Sequence, residues 1–390
     1  MTASFDRPPR LPSGFRCASV HCGLKPKDPD LALFLADRPG SAAGLFTRNH
    51  FPGAPIVQGR EQMVSGRLQG VIVNAGISNV ATGSRGLADA RTMREVAARA
   101  VEIDPELMLV GSTGVIGRPL PMDRVEAGIR KLPERLGDDP LEGARGIMTT
   151  DRVPKAFSMV VGESRVTVVG KGAGMIAPNL ATMLVYFFTD AEVDPKSLDG
   201  ILRRSAEESF QLLSVDTDTS TSDMVVALAS GRAGPVEHGA LEEAFRSLSL
   251  QMAEAVGRDG EGATKLLRIE VAGAADAVEA RRIARAIAES PLVKTMAYGR
   301  DPNVGRILMA VGKCVECRVV PERVRAQVQG VEVIREGVRV DFDESRVREL
   351  LGRDEVEIQV SLDVGEGAGR AIGCDLTEGY IEENTAYASS

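Results

Sequence analysis

Lys171-Gly-Ala-Gly174-Met-Ile-Ala-Pro178-Asn179-Leu-Ala181-Thr182-Met183-Leu184 decides how the rest of this chain is read. Just before it, Val166 to Val169 is wholly β-branched and reads as a strand. Just after it, Met183 to Phe188 is apolar, β-branched and aromatic. That run is too short for a helix of its own, so it reads as a buried strand. A glycine-rich loop joins the two and ends at Pro178-Asn179.

Working outward, the same strand-and-helix alternation appears on both sides. Leu31 to Leu35 and Gly70 to Val73 are short apolar runs punctuated by Gly and Pro, as strands are. Met93, Val96, Ala97 and Ala100 recur at helical spacing, a short strand follows at Leu107 to Val110, and another helical stretch surrounds 123 to 131. Beyond the central loop, Leu241, Ala244, Phe245, Leu248 and Met252 form one helical stripe, and Ala280, Ile283, Ala284 and Ile287 another. Val356, Ile358, Val360 and Leu362 alternate with polar residues, which predicts a half-buried antiparallel strand. Interleaved helices and strands in both halves predict a layered α/β fold, with sheets covered by helices. No internal repeat and no low-complexity linker divides the chain, so the halves are expected to form one body.

Composition narrows the function. The 390 residues carry a formal net charge of −8 with both signs mixed throughout, so no basic footprint for nucleic acid appears. With no Trp and only 4 Tyr, base-stacking platforms are equally absent. No apolar run approaches the ~20 residues that span a bilayer. Met1 to Arg10 has no apolar secretory core, and a cytoplasmic location is the expectation. Five scattered cysteines do not suit a disulfide scaffold. Cys314-Val-Glu-Cys317 has zinc or redox spacing, but Cys17 and Cys22 fit poorly as a second half, so buried thiols are expected.

Familiar motifs fail on detail. Gly172-x-Gly174-x-x-Ala177 followed by Asp190 resembles a dinucleotide fingerprint, yet Pro178 would interrupt the helix that this fingerprint demands. Gly111-Ser-Thr113-Gly114-Val-Ile-Gly117 lacks a phosphate-loop lysine. It reads either as a tight strand-to-helix turn or as a turn whose free N–H groups at a helix start face an anion. Asp216 to Asp223 lacks the glycine and glutamate of a calcium loop and reads as a hydrogen-bonded turn. His21, His50 and His238 are far apart in sequence and loop-like, solvated or structural rather than a triad.

Thr182 has a different chemistry open to it. A threonine hydroxyl needs a base to be a nucleophile. A threonine at a new chain terminus carries its own, an α-amine of pKa about 7.7–8.0. Attack of the Thr182 hydroxyl on the Ala181 carbonyl, then ester hydrolysis, would cut the chain near its midpoint and free that amine. Ala-Thr is too common a dipeptide to decide this alone, and an ordinary strand threonine is the alternative.

Several long motifs, in order and over nearly the whole chain, resemble the glutamate/ornithine N-acetyltransferase family of arginine biosynthesis, whose members cut themselves at an Ala-Thr bond. They are Lys171 to Leu184, Ser112 to Gly117, Ile147 to Asp151, Asp216 to Asp223, Asp259 to Ala263 and Cys374 to Tyr380. The resemblance implies a helix–sheet–sheet–helix sandwich of the N-terminal-nucleophile type with a smaller C-terminal subdomain. It implies a first fragment of residues 1–181 and a second of 182–390, forming one intertwined body and pairing as a dimer of such pairs. Thr182 would carry the acetyl group, and Thr113 and Gly114 would stabilise the oxyanion. Thr150, Lys171, Glu261, Asn384 and Ser389 would contact the amino-acid substrate. Acetyl would pass from N-acetylornithine to glutamate without metal or organic cofactor, with acetyl-CoA possible as a co-substrate. Two departures, Ile77 within Asn74 to Asn79 and Val304 after Asp301 to Asn303, leave other N-acetylated amino acids open as substrates. From another class, an aminopeptidase or amidase of similar mechanism, in which water replaces glutamate, is the alternative.

Overall fold

The computed structural model describes residues 4–177 and 183–386. Strands β1 (Ser4–Phe5), β2 (Phe15–Val20) and the 16-residue β3 (Leu31–Phe46) open the fold. Helix α1 (Ala54–Gln62), β4 (Arg67–Ile77), α2 (Gly83–Ala100) and β5 (Met108–Val115) follow. Next come α3 (Met122–Ile129) and α4 (Pro140–Ile147), then the hairpin β6 (Lys155–Val161) and β7 (Ser164–Lys171). After the central loop stand β8 (Leu184–Glu192), α5 (Pro195–Glu207), β9 (Leu213–Ser214), β10 (Met224–Pro235) and α6 (His238–Arg258). The last third holds β11 (Leu266–Ala274), α7 (Ala277–Ala288), α8 (Pro291–Tyr298) and α9 (Gly305–Gly312). It ends with β12 (Arg325–Val328), β13 (Val331–Arg335), β14 (Val338–Arg339), α10 (Glu344–Leu350), β15 (Glu355–Ser361), β16 (Gly367–Cys374) and α11 (Glu378–Ala386). Helix starts are fixed where the sequence offers an acceptor: Asp194 accepts from Lys196 N and Ser197 N before α5, and Glu237 from Gly239 N and Ala240 N before α6.

Nine strands join in the order β1-β6-β7-β8-β10-β3-β4-β5, with β2 on the free half of β3. The first half of β3, Leu31 to Ala36, pairs with β2 and the second half, Ser41 to Phe46, with β10. Between them its register against β4 shifts, from Leu35 to Gly40. A Cβ on Gly40 would lie 2.1 Å from the Ala229 carbonyl oxygen, so only glycine lets the strand cross there. The sheet therefore folds over on itself. Phe34, Val71 and Val73 of one half meet Leu184, Tyr186 and Phe188 of the other, with the Phe34 and Phe188 rings stacked at 5.1 Å. Helices α2 and α3 cover the outside of the first half, and α5 and α6 the outside of the second. That is the helix–sheet–sheet–helix order expected, with the two sheet layers continuous through β3.

The C-terminal subdomain is a seven-stranded sheet, β14-β13-β12-β15-β11-β16-β9, packed against α7, α8 and α9. Helix α6 ties the two bodies together, since Val256 shares a core with Leu266 and Ile372. One expectation needs correcting. Strand β15 is antiparallel to β12 but parallel to β11. Parallel neighbours need a long crossover, which α7 to α10 supply, and alternation in the sequence reports the buried face, not the partner's direction. Among the described residues no helix is long and apolar enough to cross a membrane.

Candidate active site

The site forms where β7 ends and β8 and β10 begin. Lys171 pairs with Leu184, and Leu184 with Met224, so one row crosses three strands. From the facing layer come the ends of the parallel strands β4 and β5, where Gly76 is level with Gly114. A Cβ on Gly114 would fall 2.2 Å from the Gly76 carbonyl carbon, and its φ of 126° belongs to glycine. Lys171 spans the two layers: its Nζ donates to Thr113 Oγ1 at 3.3 Å. An ammonium has no lone pair, so Thr113 oxygen accepts and keeps its own proton to donate elsewhere.

This corrects the reading of Gly111 to Gly117 as a turn at a helix start. Thr113 and Gly114 lie within strand β5, and the next helix begins at Met122. The glycines serve a close approach of two parallel strands. The dinucleotide reading is also excluded, because a strand and not a helix follows the central loop, and Asp190 is used to accept from Ser13 N and Arg165 N.

A second group gathers on the Gly172–Gly174 loop. Glu261 N donates to the Ala173 carbonyl at 2.9 Å. The Glu261 carboxylate accepts from Thr150 Oγ1 at 2.7 Å and from Asn384 Nδ2 at 2.8 Å. Gly174 leaves room for it, since a Cβ there would sit 2.3 Å from the carboxyl. Residues from α4's exit, the central loop, α6's exit and α11 are thus brought together. Ala181, Thr182 and Ser389 lie outside the described residues.

Charges beneath this group were not foreseen. Lys155 Nζ donates to Asp151 Oδ1 at 2.8 Å and also to Asp259 Oδ2, all three side chains being buried. Asp151 also accepts from Gly172 N at 2.7 Å and Thr149 N at 3.0 Å, which fastens the Thr150 and Lys171 backbones to each other. Burial pushes the Asp151 carboxyl up, but Lys155, Lys171 and the Gly172 N–H outweigh it and hold it at about 2. Burial pushes Lys171 below the ordinary lysine range against the opposing pull of Asp151 and Asp223. For Asp223 burial dominates and lifts the carboxyl to about 7, despite the Ser220 hydroxyl and Lys171. No local pattern marks these partners, because Lys155 and Asp259 are far apart in sequence.

The remaining candidates resolve into structure. Asp216 accepts from Met175 N, Ile176 N and Asp218 N, the hydrogen-bonded turn expected. Cys17 and Cys22 pack in the N-terminal sandwich while Cys314 and Cys317 lie against the C-terminal core, so the four do not form one site. His21 Nδ1 lies 2.9 Å from the Asp28 carbonyl oxygen, and His238 begins α6. The two departures are backbone and core matters: the Ile77 carbonyl accepts from Asn74 Nδ2 and Ser112 Oγ, and Val304 is buried in the C-terminal core.

A family model described as the ArgJ family matches residues 16–389. The chain is 44% identical over 384 residues to the arginine biosynthesis bifunctional protein ArgJ of Thermus thermophilus, covering 97% of this chain and 99% of the relative. It is 40% identical over 391 residues to the glutamate N-acetyltransferase Oat2 of Streptomyces clavuligerus, covering 98% and 100%. A solved ornithine acetyltransferase from Mycobacterium tuberculosis, complexed with ornithine, is similar at 38% identity, covers 46% of this chain and 100% of that one, and has a TM-score of 0.44.

Proposed function

The chain belongs to the ArgJ family, and from that premise we propose that it transfers an acetyl group from N-acetylornithine to glutamate through an acetyl ester on Thr182. The observation that carries this reading is the pairing of a buried cation, Lys171, with a carboxylate, Glu261, on either side of the loop leading to position 182. A free amino acid offers a carboxylate to the first and an ammonium to the second. Thr150 and Asn384 hold Glu261 in place for that role, and by resemblance they and Ser389 contact the substrate.

In the first half-reaction the Thr182 hydroxyl attacks the acetyl carbonyl while its proton passes to the α-amine of the same residue. The oxyanion is received by the Thr113 hydroxyl, which Lys171 leaves free to donate, and by Gly114. Removing one such donor costs about 3–4 kcal/mol of barrier stabilisation. The tetrahedral centre collapses, the proton reaches the departing nitrogen and ornithine leaves. Glutamate then attacks the ester and restores the free threonine.

Self-cleavage between Ala181 and Thr182 precedes this chemistry in the proposal. The resulting fragments, 1–181 and 182–390, would stay together because one sheet runs through both: β7 and β3 of the first pair with β8 and β10 of the second. The enzyme would work without a metal or organic cofactor, in the cytoplasm, as a dimer of fragment pairs. The test is acetyl transfer from N-acetylornithine to glutamate by purified protein, with acetyl-CoA and other N-acetylated amino acids as alternative donors. Glutamate-dependent release of ornithine supports the reading. Release of acetate at the same rate with no acceptor amine would make it a hydrolase instead.

A further inference from the structure

A second ammonium, that of Lys25, stands at the same end of the sandwich as Lys171. The buried Asp30 carboxylate accepts from the backbone N–H groups of Cys22 at 2.6 Å, Gly23 at 3.0 Å, Leu24 at 2.7 Å and Lys25 at 3.1 Å. Successive N–H groups gathered on one carboxylate form a closed nest, which fixes where the Lys25 side chain starts. Arg124 Nη1 braces the same loop on the Gly23 carbonyl at 3.3 Å. The half-buried Lys25 side chain then runs over Gly76, where a Cβ would lie 2.9 Å from Lys25 Cγ, and Gly76 is level with Gly114. Its Nζ ends 3.1 Å from the Met148 carbonyl oxygen, its only hydrogen bond among the described residues. An ammonium carries three N–H donors, so two of them remain for a ligand. Burial lowers Lys25 from the ordinary lysine range; Asp30, Asp28 and Asp151 oppose this, and Lys171 adds to it.

Met148 lies two residues before Thr150, whose hydroxyl donates to the Glu261 carboxylate. Two residues of chain reach at most about 7 Å. One short segment therefore carries an ammonium with spare donors and a carboxylate, with no ion pair between them among the described residues. The two substrates differ in what they ask of such a site. N-acetylornithine has one carboxylate and one ammonium, which Lys171 and Glu261 match. Glutamate has a second carboxylate, at the end of its side chain, and a carboxylate entering a partly buried site needs a cation. We propose that Lys25 is a specificity-determining residue for the acetyl acceptor, its ammonium receiving the side-chain carboxylate of glutamate. This rests on the reading of the protein as an acetyltransferase with Lys171 as one carboxylate-binding cation. Lys25 then touches the end of the acceptor remote from the transferred acetyl group. It acts on the KM for glutamate and on the choice of acceptor, and not on acylation of Thr182.

Two assays on the purified enzyme separate donor from acceptor. Exchange of labelled L-ornithine into N-acetylornithine needs no glutamate, whereas acetyl transfer to L-glutamate does. In Lys25→Met the KM for glutamate should rise about ten- to hundredfold while ornithine exchange changes less than about twofold. The preference for L-glutamate over L-glutamine as acceptor should be nearly lost in Lys25→Met and kept in Lys25→Arg. An equal fall in both assays, or an unchanged KM for glutamate, overturns the proposal and leaves the acetyltransferase reading standing. If Lys25→Met does not fold, Lys25→Gln, which keeps a donor for the Met148 carbonyl, is judged by the same outcomes. Absence of both exchange and transfer in the wild type would instead remove the acetyltransferase reading, and the proposal with it.

Discussion

Replacing Lys155 with methionine would remove the ammonium that two buried carboxylates share. Lys155 is 2% exposed, and the side chains of Asp151 and Asp259 are 0% and 5% exposed. Removing one partner of a buried ion pair costs about 3–5 kcal/mol. Asp151 keeps its two backbone donors and Asp259 keeps Arg152, so about 3 kcal/mol is the expected loss for Lys155→Met. The pH dependence gives a second handle. Asp151 is held at about 2 against an ordinary 3.8, which at 1.36 kcal/mol per pKa unit is roughly 2 kcal/mol of stability. That contribution is present above the ordinary carboxylate range and lost as pH falls through about 2. In Lys155→Met the pull of Lys155 on Asp151 is gone while burial still pushes its carboxyl up, so the penalty is greatest at neutral pH and shrinks as pH falls. Urea unfolding at pH 8 and pH 5 measures both, in a Thr182→Ala background that keeps the chain continuous. A loss under about 1 kcal/mol at pH 8, or an equal loss at both pH values, would refute the assignment of Lys155 as the site's buried clamp.

Three further substitutions bear on the site and its support. Thr113→Val removes the hydroxyl that Lys171 leaves free to donate, and steady-state kinetics should show kcat down roughly a hundred- to thousandfold with KM little changed. Gly174→Ala puts a Cβ against the Glu261 carboxyl and breaks its contacts to Thr150 and Asn384; KM should rise about tenfold or more while the unfolding midpoint barely moves. Tyr186 is buried in the sandwich core with its hydroxyl unpartnered among the described residues. Tyr186→Phe should therefore leave urea stability unchanged or raise it by about 1 kcal/mol.

Much of the fold was legible, for reasons that particular residues make plain. Strand β8 announced itself because both its faces are buried, giving the continuous apolar run Met183 to Phe188. Helices α6 and α7 did so through stripes at three- and four-residue spacing. What pattern could not carry was partnership. The alternation of β15 marked its buried face and said nothing of β11 lying parallel to it. Gly111 to Gly117 resembled a turn because glycines that permit tight turns also permit tight strand packing, and here they do the second. The site divides in the same way. Thr113, Thr150, Lys171, Glu261 and Asn384 entered through the motifs of a resembling family, not through spacing. The Lys155 clamp exists only once distant segments meet, and nothing local in the sequence encodes it.

Thr182, in the function proposed, both cuts the chain and carries the acetyl group. Intact mass spectrometry of purified protein, before and after brief exposure to N-acetylornithine carrying a labelled acetyl group, tests it most directly. Two chains are expected, the second beginning at Thr182 and bearing the label on that first residue, and one uncut, unlabelled chain for Thr182→Ala. A single full-length wild-type chain, or label lodged on any other residue, would contradict it.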